Sequence, residues 1–194
     1  MPPYLLCDAA VDLVLRNEGL NQPGKWPGGA SGITIGYGYD LGYTTTALFA
    51  IDWRRFFSAP HFRRLNEVIG LKGRKAAIIA ETLSDIRITK VDARNRFLNC
   101  SAPRYWRITS EVFPGVRDLS ENVQGALFSL VYNRGGSMTG ERRREMRAIQ
   151  KAVVNKDTEE IARQIRSMKR LWIGQGLDGL LTRREEEACL VEMV

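Results

Sequence analysis

Apolar positions near the start of the chain recur at helical spacing. Ala10, Val11, Val14 and Leu15 fall on one face of a segment over residues 8–18, with Asp8 placed as an N-cap. Gly19 follows Glu18 and predicts that the helix stops there, leaving Glu18 in its last turn. The helical period is then lost. From Asn21 to Gly42 the chain is dense in glycine, and within it Ile33-Thr34-Ile35, Tyr37 and Tyr39 have the composition and alternation of strands. Glycine at this density permits tight turns and close approach of a ligand to the backbone, so the segment reads as a small β-hairpin.

Beyond Thr44 the pattern is helical. Thr45 or Thr46 caps a segment through Phe56, and residues 75–83 carry Ala, Ile and Leu on one face. Thr89-Lys90-Val91-Asp92 has capping-box spacing ahead of a helix through Leu98. Ser120 precedes residues 121–133, where Val123, Ala126, Leu127, Leu130 and Val131 form a deeply apolar face ending at Gly135-Gly136. Residues 141–154 and 158–172 follow, and Thr182-Arg183-Arg184-Glu185 reads as a second capping box before a terminal helix. One early β element amid many helices predicts an α+β fold in a single domain over residues 1–194. Its small β-containing lobe covers about 19–44, and a helical lobe takes the rest.

Charge narrows the partners without choosing one. The chain has 29 Lys and Arg against 22 Asp and Glu, a net charge of +7. Such a surface attracts polyanions: nucleic acid, anionic membranes or the acid-rich polymers of a bacterial envelope. The densest runs, residues 142–144 and Arg183-Arg184, are short and lie near Glu residues, and no nucleic-acid-binding motif is present, so nucleic acid is not the expected partner. The three cysteines, Cys7, Cys100 and Cys189, have no metal or redox spacing and read as small buried apolar residues; a Cys7–Cys189 disulfide stays open. A single histidine, His61, in a loop-like Ala-Pro-His stretch, builds no zinc site, so no metal and no cofactor are expected. No apolar run is long enough to span a membrane, and the first residues lack the basic region of a secretory signal.

The constellation that carries chemistry is Glu18, then Thr34, then Asp40. Glycoside hydrolysis needs a proton donor for the leaving oxygen and a second group that positions water or stabilises the oxocarbenium-like transition state. Spacing alone leaves other readings open: Glu18 as a surface carboxylate, Thr34 as a strand residue, Asp40 as a turn residue or helix cap.

Leu15-Arg-Asn-Glu-Gly19 followed by Ser31-Gly-Ile-Thr-Ile-Gly-Tyr-Gly-Tyr-Asp-Leu-Gly42 resembles the active-site signature of phage-type lysozymes. The segment Gly125-Ala-Leu-Phe-Ser-Leu-Val-Tyr-Asn-Arg-Gly135 resembles that family's buried central helix. The segment from Leu171 to Leu190 resembles its terminal W…GL…RR…E..L pattern. Residues about 48–88 are not explained by the resemblance and read as an insertion. The family often places its second acid before the threonine; here Pro27-Gly-Gly-Ala-Ser-Gly32 has none, and the order Glu, Thr, Asp resembles pesticin-like muramidases instead.

The resemblance implies a lysozyme-like fold with an active-site cleft and a muramidase acting on bacterial peptidoglycan. Glu18 is then the acid, held protonated by partial burial, while Thr34 and Asp40 handle the attacking water. Trp26, Tyr37, Tyr39 and Asn133 are candidate substrate contacts, with Arg134 beside them and Asn133 alternatively a helix C-cap. Arg183 or Arg184 either orients the catalytic Glu or lies on a solvated helix start. The expected enzyme is a monomer made in the cytoplasm and acting at the periplasm or cell wall. It would serve as an endolysin or as a secreted antibacterial effector, with delivery machinery or an immunity protein as further partners. A lytic transglycosylase and a silent peptidoglycan-binding module are the alternatives.

Overall fold

A computed structural model describes residues 6–193. The expectation about a secretory signal rests largely on residues 1–5, which lie outside them. In chain order the elements are α1 (Asp8–Glu18), the hairpin strands β1 (Thr34–Ile35) and β2 (Tyr39–Asp40), α2 (Thr46–Trp53), α3 (Ala59–Glu67), α4 (Arg74–Ala80) and α5 (Lys90–Arg96). Then come α6 (Ala102–Val112), α7 (Glu121–Arg134), α8 (Arg144–Asn155), α9 (Thr158–Ser167) and α10 (Asp178–Glu192). The fold is α+β: mostly helical with one small antiparallel hairpin, consistent with a lysozyme-like architecture. The chain divides into two units. One comprises the described residues up to Asn17 with those from Ala102 onward, and the other is Glu18–Ser101.

The first unit is a helical stack around α7, in which every residue from Val123 to Val131 is buried. Ser120 caps α7 by accepting from the Val123 amide, and Gly135 closes it. A Cβ at position 125 would come within 2.3 Å of the Ala10 Cβ, so α1 and α7 approach this closely because Gly125 has no side chain. Helix α10 packs on α7 and α9, and α9 on α8.

In the second unit Thr45, Ser58 and Thr89 cap α2, α3 and α5. Phe49, Trp53, Leu65, Ala76, Leu83, Ile86 and Phe97 make its core. The Gln22 side chain imitates a strand partner, accepting from the Ile88 amide at 2.9 Å and donating to the Ile88 carbonyl at 3.0 Å.

Several local expectations change. The Cys7 carbonyl accepts from the Ala10 and Val11 amides, which puts Cys7 at the cap and Asp8 in the first turn. Ala59-Pro60-His61 is the first turn of α3, where a proline near the N-terminus gives up an amide that had no helical partner. Thr182 is not a cap: α10 has already begun at Asp178. Helix α6 escapes the periodic pattern because its buried positions are the sparse and partly polar Ala102, Trp106, Thr109 and Val112. Cys7, Cys100 and Cys189 are half-buried and form no disulfide among the described residues. Cys7 lies 3.5 Å from Asn122 Oδ1 and Cys189 3.7 Å from Glu185 Oε1, so the two do not pair. Among the described residues no helix is long and apolar enough to cross a membrane.

Candidate active site

The residues singled out as chemical fall mostly in the second unit, on the short path from the end of α1 into the hairpin. Gly19, at φ +65°, terminates α1 in a left-handed turn that a side chain would disfavour. Two residues on, Asn21 pairs with Gly36 through both backbone groups, at 2.8 and 2.9 Å. The Asn21 side-chain amide donates to the Gly36 carbonyl at 3.2 Å and reaches the Glu18 carbonyl at 3.4 Å. The end of α1 is thereby tied to the hairpin by hydrogen bonds a few residues from Glu18, which is half-buried.

In the hairpin Thr34 stands opposite Asp40, and Ile35 opposite Tyr39, across a three-residue loop whose Gly36 and Gly38 both have positive φ. Directly opposed residues project from the same face, with Cβ atoms about 5 Å apart. Thr34 and Asp40 are therefore neighbours, six residues apart in sequence. Thr34 is 9% exposed.

The Asp40 carboxylate has a task of its own. Its Oδ1 accepts from the Gly42 amide at 2.7 Å and from the Gly32 amide at 3.0 Å, and its Oδ2 accepts from Gly32 at 3.1 Å. It thus caps the 3₁₀ turn Leu41–Tyr43 and fastens the chain entering the hairpin. Of about four acceptor positions on a carboxylate, these bonds occupy three. Gly32 is required for the arrangement, since a Cβ there would lie 2.4 Å from Asp40 Oδ1 and 2.3 Å from the Gly42 nitrogen.

The aromatic residues of the hairpin do not form a sugar platform. Tyr37 is 4% exposed and Tyr39 8% exposed. Tyr39 packs edge-on against Trp53, lies 4.1 Å from the Arg96 guanidinium and shares a 2.9 Å hydrogen bond with Thr44. Burial pushes its phenol up to about 12. Tyr39 is spent on anchorage, and Tyr37 is buried as deeply. Trp26 is half-buried, with its indole N–H donating to the Ser31 carbonyl at 2.9 Å.

Sequence reasoning missed the anchor beneath Tyr39. Arg96, 2% exposed, donates to Asp52 Oδ2 at 2.8 Å and to Ser101 Oγ at 2.6 Å. Asp52 and Arg96 are 44 residues apart, and no local pattern links them. Asn21 was equally invisible in its bridging role, although its place between Gly19 and the hairpin was a signal.

The remaining candidates lie in the first unit. Asn133 is in the last turn of α7 and is not its cap; Gly135 is, with its N–H on the Val131 carbonyl. Asn133 and Arg134 line a hollow of about 640 Å³ with Arg142, Arg143, Trp172 and Leu180. Burial, reinforced by the neighbouring Arg143, brings Arg134 down to about 10. Arg183 and Arg184 are not on a solvated helix start: they are 3% and 0% exposed in the middle of α10. Both donate to Glu187 Oε1, at 3.3 and 2.7 Å, and Arg183 also reaches Ser129 Oγ at 3.2 Å. Among the described residues no group of three His, Cys, Asp or Glu is placed to hold a metal ion.

No curated protein gives a significant match to the chain. The Phage lysozyme family model matches residues 68–187, a span that contains the buried α7 and most of α10 and leaves Glu18, Thr34 and Asp40 outside it. That span is more than half of the sequence, and the helices it covers fold as the α-rich part of an α+β protein with one small hairpin; the chain belongs to the phage lysozyme family of cell-wall hydrolases.

Proposed function

We propose that the chain is a muramidase that cleaves the β-1,4 bond between N-acetylmuramic acid and N-acetylglucosamine, with Glu18 as the proton donor. The observation that supports this best is the anchoring of the α1 end to the hairpin through Asn21, which keeps the Glu18 backbone and the Thr34–Asp40 pair in one hydrogen-bonded unit. Glu18 donates its proton to the bridging oxygen as the glycosidic bond breaks. Thr34, opposite Asp40 on the hairpin, orients the water that adds to the anomeric carbon from the opposite face. Asp40 uses its remaining acceptor position to draw off the water's proton, and the anomeric configuration inverts. In the first unit, the arginine-lined hollow offers a cationic surface to acidic groups of peptidoglycan.

A second reading has an observation of its own. Because Asp40 is largely occupied by the Gly32 and Gly42 amides, Glu18 can be the single acid and base. The product is then that of a lytic transglycosylase: a hydroxyl of the muramic residue closes on the anomeric carbon, and the Glu18 carboxylate takes its proton. Mass spectrometry of digested peptidoglycan separates the two, since reducing muramic ends mean hydrolysis and anhydro ends mean transglycosylation.

Under either reading Glu18→Gln lowers activity by about 10²–10⁴-fold with an unchanged melting temperature. Lysis at the wild-type rate by this variant ends the assignment. The enzyme serves as a phage endolysin or as a secreted antibacterial effector, and an inhibitor gene encoded beside it identifies the effector.

A further inference from the structure

The segment from Trp53 to Asn66 contains four arginines and no acidic residue. It lies ahead of the family match and forms the end of α2, a 3₁₀ turn and α3. Arg64 is neutralised by Asp85, at 2.7 and 2.8 Å. Arg54, Arg55 and Arg63 are exposed, and no carboxylate pairs with them among the described residues. Between them lies a depression of about 350 Å³, lined by Arg54, Phe57, Ala59, Phe62, Arg63 and Asn66. Phe57 and Phe62 are only half-buried there. Phe62 stacks on the buried Phe49 at 4.9 Å, and Phe57 leans on Trp53 at 5.6 Å, so both rings are held in place from below. The Arg54 guanidinium sits 5.9 Å from the centroid of Phe62.

Unpaired guanidiniums around fixed apolar rings have the chemistry of a surface that meets lipid headgroups and the edge of the acyl region together. The exposed guanidiniums call for anions and the half-buried rings between them call for an apolar partner, and phosphate headgroups over acyl chains supply both across one flat surface. We propose that the Arg54–Phe57–Phe62–Arg63 face docks on an anionic phospholipid surface, the guanidiniums pairing with phosphates and the two rings entering the interface. The face holds the protein at a membrane and takes no part in cleaving sugar, so the proposal stands apart from the assignment of Glu18.

The test is co-sedimentation of the full chain with vesicles of phosphatidylcholine alone and of phosphatidylcholine mixed with phosphatidylglycerol. Binding is expected to the mixed vesicles, to be weak on the neutral ones, and to fall with added salt. Arg54→Glu with Arg63→Glu should weaken partition by about tenfold or more. Lys75→Glu with Lys151→Glu makes the same charge change at exposed positions in other helices and should bind close to wild type. Peptidoglycan digestion by the first variant should be retained. Equal losses in the two variants reduce the effect to net charge and overturn the proposal. So does equal binding to neutral vesicles, or an Arg54/Arg63 dependence seen only with isolated cell walls or with DNA.

Discussion

Two carboxylates, the buried Glu187 among helices and the half-buried Asp40 in the hairpin, are held in opposite ways. In the helical unit the Glu187 carboxylate meets other side chains: Arg183, Arg184 and Ser129 gather on it, with no backbone amide among these contacts. In the hairpin unit the Asp40 carboxylate meets the backbone, holding the amides of Gly32 and Gly42. The reason is where each kind of segment satisfies its peptide groups, and Asp52 on helix α2, paired with Arg96, follows the helical pattern. Helices pair their own amides, so a charge buried among them must find charged or hydroxyl partners. A glycine-dense segment with two two-residue strands pairs few of its amides, and a short acidic side chain is recruited to fill the deficit. A carboxylate that reads as catalytic from spacing therefore has a structural competitor in such a segment, and the competitor is strongest where glycine is densest.

The largest expected effect tests the helical half. Glu187→Ala leaves Arg183 and Arg184 buried without their shared anion, which destabilises the fold by about 3–5 kcal/mol. Burial already holds Arg184 below its ordinary range. Chemical denaturation would read the loss as a lower midpoint, or the variant would fail to accumulate as folded protein. A change under about 1 kcal/mol would mean that the cluster is solvated and that the contrast between the two carboxylates is false.

Asp40 gives the next effect and sharpens the comparison further. Asp40→Ala strands the Gly32 and Gly42 amides and should lower stability by about 1–3 kcal/mol. Asp40→Asn keeps one amide acceptor and should lower it less. Activity then separates the two mechanisms. If Asp40 draws a proton from water, the Asn variant loses turnover well beyond its loss of stability; if Glu18 acts alone, turnover follows the folded fraction.

What could be read in advance follows the same division. The hairpin was legible because glycine spacing and strand alternation are local signals: they put Thr34-Ile35 and Tyr39 in strands, while Tyr37, read as strand, lies in the turn and Asp40, read as a turn residue or cap, also ends β2. Helix α7 was legible from its apolar face and its Ser120 cap. Tyr37 and Tyr39 read as candidate sugar contacts, yet both rings are buried, because composition cannot tell an exposed ring from an enclosed one. The Trp53 and Arg96 that enclose Tyr39 come from α2 and α5, far along the chain. The Arg183–Glu187 contact was within reach, being an i,i+4 pair, but the shorter Thr182–Glu185 spacing drew attention to a cap that does not exist. Helical pairing is a local fact and burial is a tertiary one, so the partner could be read and the solvent exposure could not.

The smallest effect lies on the rim of α10, where Glu185 is paired with Lys169 and with Arg166, the latter at 2.8 Å. Those cations, Lys169 first, pull the Glu185 carboxyl down to about 2. A depressed carboxyl contributes stability that is present above its unfolded value, near 4.5, and is lost as the pH falls through the folded value near 2. Wild type should therefore exceed Glu185→Gln in melting temperature at neutral pH, with the gap closing between about pH 4.5 and 2. Its side chain is 41% exposed, so water and salt screen the pair and the contribution stays under about 1 kcal/mol. Added salt should narrow the gap further at neutral pH, whereas the Glu187→Ala deficit, buried from solvent, should barely respond. A gap at Glu185 that salt leaves unchanged would place that pair with the buried cluster and move the border between solvated and buried charge outward along α10.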